Sequence, residues 1–339
     1  MPVPSATIEL DEARAEGPVQ RVRHLLHDHP TLGPAAVLLV MFCLFAVASD
    51  RFLSPANLSL VVQQVMIVGT LAIGQTIIVL TAGIDLSVGA IMVFASLAMA
   101  KLSVEMGLPP ALAILAGFLA GALAGGLNGL LITRLRLPPF IVTLGTMSIF
   151  FALNIYVSRA ATIRGSDMDP LLLLTGKSVE ILGTKVTYGS MAMVVLYLVT
   201  AYVLSMTRWG KHVYAIGDDP EAARLAGIRV RRMLVSVYAI AGLIYGIAAW
   251  FFIGRIGAAS PQAGQSANLD SITAVVIGGT SLFGGRGSIW GTLMGALIVG
   301  GARNGLTLVG IDSLWQDFTI GVLIIGAVAL DQWVRRVGS

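Results

Sequence analysis

Residues 111–132 read ALAILAGFLAGALAGGLNGLLI, a run of apolar and small residues without a single charge. A helix that crosses a hydrocarbon core of about 30 Å needs roughly 20 apolar residues, so this stretch predicts a transmembrane helix. Glycine recurs there at every fourth position, at Gly117, Gly121, Gly125 and Gly129. On a helix this spacing forms a smooth ridge that a neighbouring backbone can approach closely.

Similar apolar runs recur along the rest of the chain. They cover residues 33–49, 58–80, 86–104, 111–132, 139–158, 190–207, 233–254, 270–285, 288–308 and 314–334. The sequence therefore predicts an all-α integral membrane protein with about ten transmembrane helices. The eighth run is short and rich in glycine, which predicts a broken or re-entrant segment rather than a full crossing.

The overall composition supports a membrane class. Of the 339 residues, 56% are hydrophobic and 12% are charged, and the mean hydropathy is +0.86. A soluble domain carries about 25% charged residues, so a soluble enzyme and a disordered chain are excluded. Cys43 is the only cysteine, which excludes a disulfide scaffold. The net charge of +4 lies in short clusters between apolar runs, which favours membrane lipid and not nucleic acid as the surrounding partner.

The positions of Lys and Arg predict the orientation. The loop 207–232 alone carries six of them, so we assign it to the cytoplasm. With ten crossings, both termini then lie on the cytoplasmic side. Residues 1–32 contain several acids and no early apolar core, which predicts a polar cytoplasmic tail before a transmembrane domain over residues 33–339.

Two halves of the chain share a motif. GGLNGL at residues 125–130 resembles GARNGL at residues 301–306, and each is preceded by a glycine-rich break, LTAGIDLSVG or IGGTSLFGG. A second glycine series, Gly287, Gly291 and Gly295, matches the first. An offset of five spans predicts two inverted five-helix repeats, as in many transporters. Glycine-mediated helix packing without transport is the alternative.

Several polar residues within or between the apolar runs are candidates for a solute path. Asp85 has three interpretations: the N-cap of the third span, bonded to the amide of Ser87 or Val88; a break that lines the path; or an ion-coupling carboxylate. Asn128, Asn304 and Gln75 either form interhelical hydrogen bonds or contact a solute. The candidate path residues are Asp85, Ser87, Asn128, Asn304 and Gln75.

The cytoplasmic loop 207–232 contains a helix signature. Asp218 or Asp219 suits the N-cap, Pro220 the first position and Gly227 the C-terminal stop. The alanines predict a small, flat face on a helix of about two turns, which either docks on a soluble partner or is an ordinary interfacial helix. The candidate docking residues are Asp219, Pro220, Glu221, Ala222, Ala223, Arg224 and Gly227.

The sequence carries no recognisable catalytic constellation. All four histidines lie in polar segments, and neither a zinc-type His-Glu-x-x-His sequence nor a Gly-x-Ser-x-Gly elbow occurs. Gly176-Lys177-Ser178 imitates the end of a phosphate-binding loop, but Leu171 stands where that loop needs glycine. We therefore expect no catalytic residue, no metal site and no nucleotide site in this chain, and transport would need an external energy source.

Four blocks of sequence resemble one known family. GIDLSVGA (83–90), NGLLITRLRLPPFIVTLGTMSIF (128–150), GDDPEAARLAGI (217–228) and IGGTSLFGGRGSIWGTLMGALIVG (277–300) are similar to the permease subunits of bacterial ATP-binding-cassette importers for monosaccharides, the ribose, xylose, arabinose and galactose type. The resemblance runs from about residue 35 to the C-terminus. Branched-chain amino acid permeases share the last block but differ at GIDLSVG, which favours a sugar.

The resemblance implies a permease domain over residues 33–339 in the bacterial inner membrane, paired with a second permease chain. It implies a cytoplasmic ATPase, often with two tandem domains, that binds ATP and Mg²⁺, and a periplasmic sugar-binding protein. The helix from Pro220 to Gly227 would be the coupling helix that contacts the ATPase. Two rival functions are a self-sufficient secondary transporter or channel for a small polar solute, and an integral-membrane enzyme.

Overall fold

The protein is described here by a computed structural model that covers residues 31–336, apart from residues 182 and 265. The predicted polar tail over residues 1–32 lies almost entirely outside these described residues. Twelve helices follow one another along the described chain. They are α1 (Leu32–Ala48), α2 (Pro55–Val79), α3 (Val88–Val104), α4 (Pro110–Leu135), α5 (Pro139–Ser158), α6 (Tyr188–Met206), α7 (Arg208–Asp218), α8 (Pro220–Leu225), α9 (Val230–Ile256), α10 (Ala267–Ile277), α11 (Ile289–Leu308) and α12 (Ser313–Arg336).

The helices coincide with the predicted apolar runs. Each of the ten runs corresponds to one helix, while α7 and α8 lie in the loop between the sixth and seventh runs. Five helices (α2, α4, α5, α6 and α9) are long and apolar enough by length and composition to cross a membrane. The all-helical membrane class predicted from the sequence is therefore confirmed.

The eighth run is the shortest of these helices. Helix α10 has 11 residues, a length of about 16 Å, which is too little to cross a hydrocarbon core. Residues 278–288 follow it without regular helix before α11 begins.

Short strands occur in the connections on one side of the helices. β1 (Ile163–Arg164) pairs antiparallel with β4 (Ala258–Ala259), and β2 (Ser178–Ile181) forms a hairpin with β3 (Thr184–Thr187). The β1–β4 pair fixes the long connection between α5 and α6 onto the end of α9, the helix that follows the α7–α8 loop. Because α9 has 27 residues, these strands and α8 lie about 40 Å apart along its axis.

Glycines bring α4 and α9 into backbone contact at the centre of the fold. A Cβ on Gly125 would overlap the carbonyl oxygen of Tyr238 and lie 2.9 Å from the Cα of Gly242. A Cβ on Gly121 would overlap the Gly242 carbonyl and lie 3.0 Å from the amide nitrogen of Gly246. Gly121, Gly125 and Gly129 of the predicted ridge therefore face α9, where Gly242 and Gly246 have the same spacing of four residues. Gly117 does not, because a Cβ there would meet Met99 of α3.

The second predicted glycine series needs a correction. Gly291 and Gly295 lie on α11 and pack against the backbone of Gly278 and Ala274 on the α10 side. Gly287 does not belong to this ridge, because α11 begins only at Ile289. The Ser288 hydroxyl caps the new helix by accepting a hydrogen bond from the amide of Trp290, so the preceding glycine stays outside it.

The two glycine-rich breaks also differ from the prediction. Residues 80–87, which we call the first break, join α2 to α3, the second and third of the ten helices that match apolar runs. Residues 278–288, the second break, join α10 to α11, the eighth and ninth. An offset of five spans does not superimpose these connections, so their assignment as repeat equivalents is wrong. They touch each other instead, with the amide of Gly285 donating to the carbonyl of Leu80 at 3.0 Å.

Adjacent glycines on α4 provide a test of the α4–α9 contact. Gly125→Ala forces a methyl group into backbone and should lower the stability by about 1–3 kcal/mol. Gly126→Ala is the matched control, because its Cβ would meet only the Ala239 methyl at 3.7 Å. Thermal unfolding of the two purified variants should show a lower midpoint for Gly125→Ala alone. Equal midpoints would contradict the proposed packing.

Candidate functional site: a polar cluster at the first break

The first break is non-helical backbone that is largely buried among helices. In a hydrocarbon environment an unpaired backbone carbonyl costs several kcal/mol, so such a segment must find partners within the protein. The carbonyl of Ile84 accepts from the Thr143 hydroxyl of α5 at 3.0 Å, and that of Asp85 accepts from the Gln75 amide of α2 at 2.6 Å. The carbonyl of Leu80 accepts from the amide of Gly285, so three carbonyls of the first break have hydrogen-bond partners.

Asp85 organises the start of α3. Its Oδ1 accepts from the Ser87 amide at 2.8 Å and from the Ser87 hydroxyl at 2.6 Å, and the Asn128 amide of α4 donates to that hydroxyl at 2.8 Å. The predicted bond to the Ser87 amide is present, but the residue directly before the helix is Ser87, not Asp85. Asp85 thus supports the cap from two residues upstream, in an Asx-type turn.

Two tyrosines of α9 complete the cluster. Tyr238 and Tyr245 are 1% and 0% exposed, and the Tyr245 hydroxyl lies beside the Asp85 carboxylate. A Cβ on Gly83 would lie 2.7 Å from the Tyr238 hydroxyl, so the first break approaches α9 closely. Sequence reasoning missed both tyrosines. Their spacing of seven residues, which places them on one face of a helix, was the available signal.

The cluster retains free hydrogen-bonding capacity. Among the described residues, Gln75 Oε1 and Asn128 Oδ1 are buried and accept no hydrogen bond. Amide oxygens of this kind can accept from the hydroxyl groups of a polar solute. Asp85 forms no ion pair with Lys or Arg in the described part of the chain. The cluster therefore contains one carboxyl group without a paired cation, and it lies among helices α2, α4, α5 and α9.

Asn304 lies elsewhere. Its side chain exchanges two hydrogen bonds with Asn57 of α2, at 2.8 and 3.0 Å, which is the interhelical role that polar residues commonly have in membranes. The neighbouring Arg303 binds Asp270 of α10 at 2.7 Å and Asp317 of α12 at 3.0 Å, ion pairs that the sequence analysis did not anticipate. The structure thus brings together Gln75, Asp85, Ser87 and Asn128, but not Asn304.

Helix α8 starts as its sequence predicts. Asp219 Oδ1 accepts from the amides of Glu221 and Ala222 at 2.8 and 3.0 Å, and Pro220 occupies the first turn. Arg224 donates two hydrogen bonds to the Glu221 carboxylate, at 2.5 and 3.2 Å. These bonds and the positive charge of Arg224 hold the pKa of Glu221 below its usual value. Glu221 is therefore a carboxylate at neutral pH, on the exposed surface.

The end of α8 is a Schellman motif. The amide of Ile228 donates to the Ala223 carbonyl and that of Gly227 to the Arg224 carbonyl, both at 3.0 Å. Gly227 has φ +87°, a left-handed conformation that glycine adopts without steric cost. These two caps make a six-residue helix well defined despite its length.

The exposed face of α8 differs from the predicted alanine face. Ala223 is only 5% exposed and packs against the protein's own core. Ala222 and Ala226 point outward, and Leu225 is 78% exposed. The surface available to a partner is therefore a small patch with one large apolar side chain, flanked by the Glu221–Arg224 ion pair.

Comparison with known proteins identifies the family. The family model for the permease component of branched-chain amino acid transport systems matches residues 57–328. The chain belongs to this family. It is 50% identical to a fructose import permease protein of Rhizobium meliloti, over 95% of this chain and 90% of the relative.

Two further relatives are also named as sugar permeases. A ribose import permease protein of Bacillus subtilis is 42% identical over 89% of this chain and 92% of the relative, and a D-allose transport system permease protein of Escherichia coli is 33% identical over 90% and 92%. The resemblance to importer permeases stated from four sequence blocks is confirmed. This permease is a multi-pass membrane protein and a transport component.

A pair of substitutions at Asp85 separates hydrogen bonding from charge. Asp85→Asn keeps an oxygen that accepts from Ser87, whereas Asp85→Ala leaves buried donors unpaired at a cost of about 1–3 kcal/mol. The membrane abundance and thermal midpoint of Asp85→Asn should stay close to those of the unmodified permease, while both should fall in Asp85→Ala. If Asn is as damaging as Ala, the negative charge itself is required.

Proposed function

We propose that this permease forms the path for a monosaccharide in an ATP-driven importer. The observation that carries the proposal is its similarity, across nine-tenths of both chains, to proteins named as fructose and ribose import permeases. The family model takes its description from branched-chain amino acid transport. The block GIDLSVGA, which covers the end of the first break and the start of α3, favours a sugar over an amino acid.

The proposed arrangement in the membrane has ten crossings, with both termini in the cytoplasm of a bacterial cell. Its support is the group of six Lys and Arg in residues 207–232, which contain α7 and α8. The short α3 and α10 would each cover part of the bilayer, with the first and second breaks completing the distance. Non-helical backbone at membrane depth is tolerated because it is buried in protein.

Two inverted five-helix repeats remain part of the proposal. Their support is that helix contacts occur in matched pairs: α4 packs on α9 and α11 on α2, while α3 packs on α4 and α10 on α11. The pairs α3–α9 and α10–α2, and α3–α5 and α10–α12, follow the same offset. Such duplication places a solute path at the interface of the two halves.

The polar cluster at the first break is the proposed part of that path. The free amide oxygens of Gln75 and Asn128 can accept from sugar hydroxyls, and the hydroxyls of Tyr238 and Tyr245 can donate. The cluster offers few groups and no aromatic stacking platform was evident from the sequence. Weak binding suits a passage, because tight binding would slow release to the cytoplasm. High-affinity capture would belong to an external binding protein.

The proposed energy source is a cytoplasmic ATPase that binds α8. ATP and Mg²⁺ would bind to that partner, and we expect the hydrolysis to take place there. Closure of the ATPase around ATP would draw together the α8 helices of two permease chains and tilt the helices toward an outward-open state. The partners then set the populations of the two states through their differential binding.

The substrate class can be tested by deletion of the gene. The loss should abolish high-affinity uptake of a labelled monosaccharide from a panel of fructose, ribose and allose, while uptake of labelled leucine stays unchanged. Restoration of the gene is the control. A selective loss of leucine uptake would contradict the sugar assignment, and uptake by the purified permease in an ion gradient without any ATPase would favour a secondary transporter.

The docking role of α8 can be tested with a charge on its exposed face. Ala222→Arg should reduce copurification of the ATPase and sugar uptake by at least tenfold, because an unpaired charge at an interface costs several kcal/mol and about 1.4 kcal/mol already corresponds to a factor of ten. Thr162→Arg adds the same group at an exposed position beside β1, at the opposite end of α9. ATPase copurification that survives Ala222→Arg, or that falls equally with Thr162→Arg, would contradict the role.

A further inference from the structure

The last turn of α7 meets both breaks through backbone alone. Gly217 is buried, and a Cβ at this position would overlap the carbonyl oxygen of Leu80 in the first break. The same Cβ would lie 2.5 Å from the amide nitrogen of Gly285 in the second break. No side chain larger than hydrogen fits between the three segments.

The contact is reciprocal. A Cβ on Gly284 would lie 2.6 Å from the Gly217 carbonyl oxygen and 2.8 Å from the amide nitrogen of Ala82, and one on Gly285 would lie 2.9 Å from the Cα of Asp218. The Gly285–Leu80 hydrogen bond ties the two breaks together at the same place. Backbone packed on backbone has no side-chain rotamers that could absorb a displacement, so a shift of one segment must move the others.

This joint is directly continuous with α8. Helix α7 ends at Asp218, α8 begins at Pro220, and Asp219 between them caps α8 while its own amide donates to the Ala215 carbonyl at 3.1 Å. A second link runs from the Tyr214 hydroxyl of α7 to the Gly287 carbonyl of the second break at 3.0 Å. The position of α8 relative to the two breaks is therefore closely fixed by α7.

The first break in turn holds the polar cluster. Its carbonyls are bound by Gln75 and Thr143, and Asp85 and Ser87 belong to it. A displacement that enters at Leu80 reaches Asp85 and Ser87 within seven residues of chain. The path from the cytoplasmic surface to the cluster is thus short and passes through one close contact.

We propose that Gly217 is a positioning residue that transmits the movement of α8 to the first and second breaks and so to the polar cluster. The proposal rests on the proposed docking of α8 on an ATPase. Gly217 itself touches neither the ATPase nor the solute. Its glycine identity is required because the three backbones must be in direct contact for the movement to pass.

The test uses the complete transporter, with ATPase and binding protein, in proteoliposomes. Gly217→Ala should keep its ATPase copurification but lower the sugar moved per ATP hydrolysed by about tenfold. The matched control is Gly176→Ala, whose methyl would overlap the carbonyl oxygen of Gly254 near the end of α9 that lies opposite α8. That control should reduce the amount of folded transporter while the sugar moved per ATP hydrolysed stays unchanged.

An unchanged ratio of sugar to ATP in Gly217→Ala, or a ratio that falls equally in Gly176→Ala, would overturn the proposal and leave only a packing role. A loss of ATPase copurification in Gly217→Ala would overturn it too, because the residue would then serve docking. Should Gly217→Ala fail to assemble, Tyr214→Phe decides. Without the bond to Gly287, the ratio should fall about threefold, and an unchanged ratio overturns the proposal.

The outcome of Ala222→Arg distinguishes a failure of the docking role of α8 from a failure of the transmission role of Gly217. If that variant retains its ATPase, the docking role of α8 fails, whatever Gly217→Ala does. If Ala222→Arg loses its ATPase and Gly217→Ala keeps a normal ratio, only the transmission role of Gly217 fails.

Discussion

The need to pair every backbone carbonyl away from water governs the structure of this permease. A continuous helix meets that need within itself, but a chain that leaves the helix among apolar neighbours must recruit partners from elsewhere. The first break does so through the side chains of Gln75 and Thr143 and the backbone of Gly285. Each partner comes from a different element, so the break becomes the point where α2, α5 and the second break are joined.

Glycine allows the close approach that this pairing requires. Along α4 and α9 it lets two long helices touch through their backbones, and at Gly217, Gly284 and Gly285 it does the same for loops. The first contact joins two long helices, whereas the second joins the segments that we propose to move as a unit. Glycine therefore has two different roles here: it packs helices together in one place and connects non-helical segments in the other.

The parts of the structure that the sequence predicts are the local ones. Apolar runs located the helices, because burial in lipid demands about 20 apolar residues in succession. The caps of α8 at Asp219 and Gly227 were also predicted, since capping chemistry acts within a few residues. The direction of Ala223 was not, because the choice of buried face depends on what the helix packs against.

Long-range contacts escaped prediction for the same reason. Nothing in the order of residues along the chain shows that Leu80 lies beside Gly285, or that Tyr238 and Tyr245 face Asp85. The repeat motif around Asn128 and Asn304 was visible, but one asparagine binds Ser87 and the other Asn57, so similar sequence occurs in different surroundings.

The central claim is that α7 and the breaks move as one body. It can be tested by distance measurement between spin labels at exposed Lys211 of α7 and exposed Phe283 of the second break, with Cys43 replaced by serine and the second permease chain unlabelled. We expect this distance to be the same in the nucleotide-free and ATP-bound transporter. In a second sample, in which both permease chains carry a label at Lys211 alone, the distance between the two chains should change. A change of several ångströms within one chain would contradict the central claim.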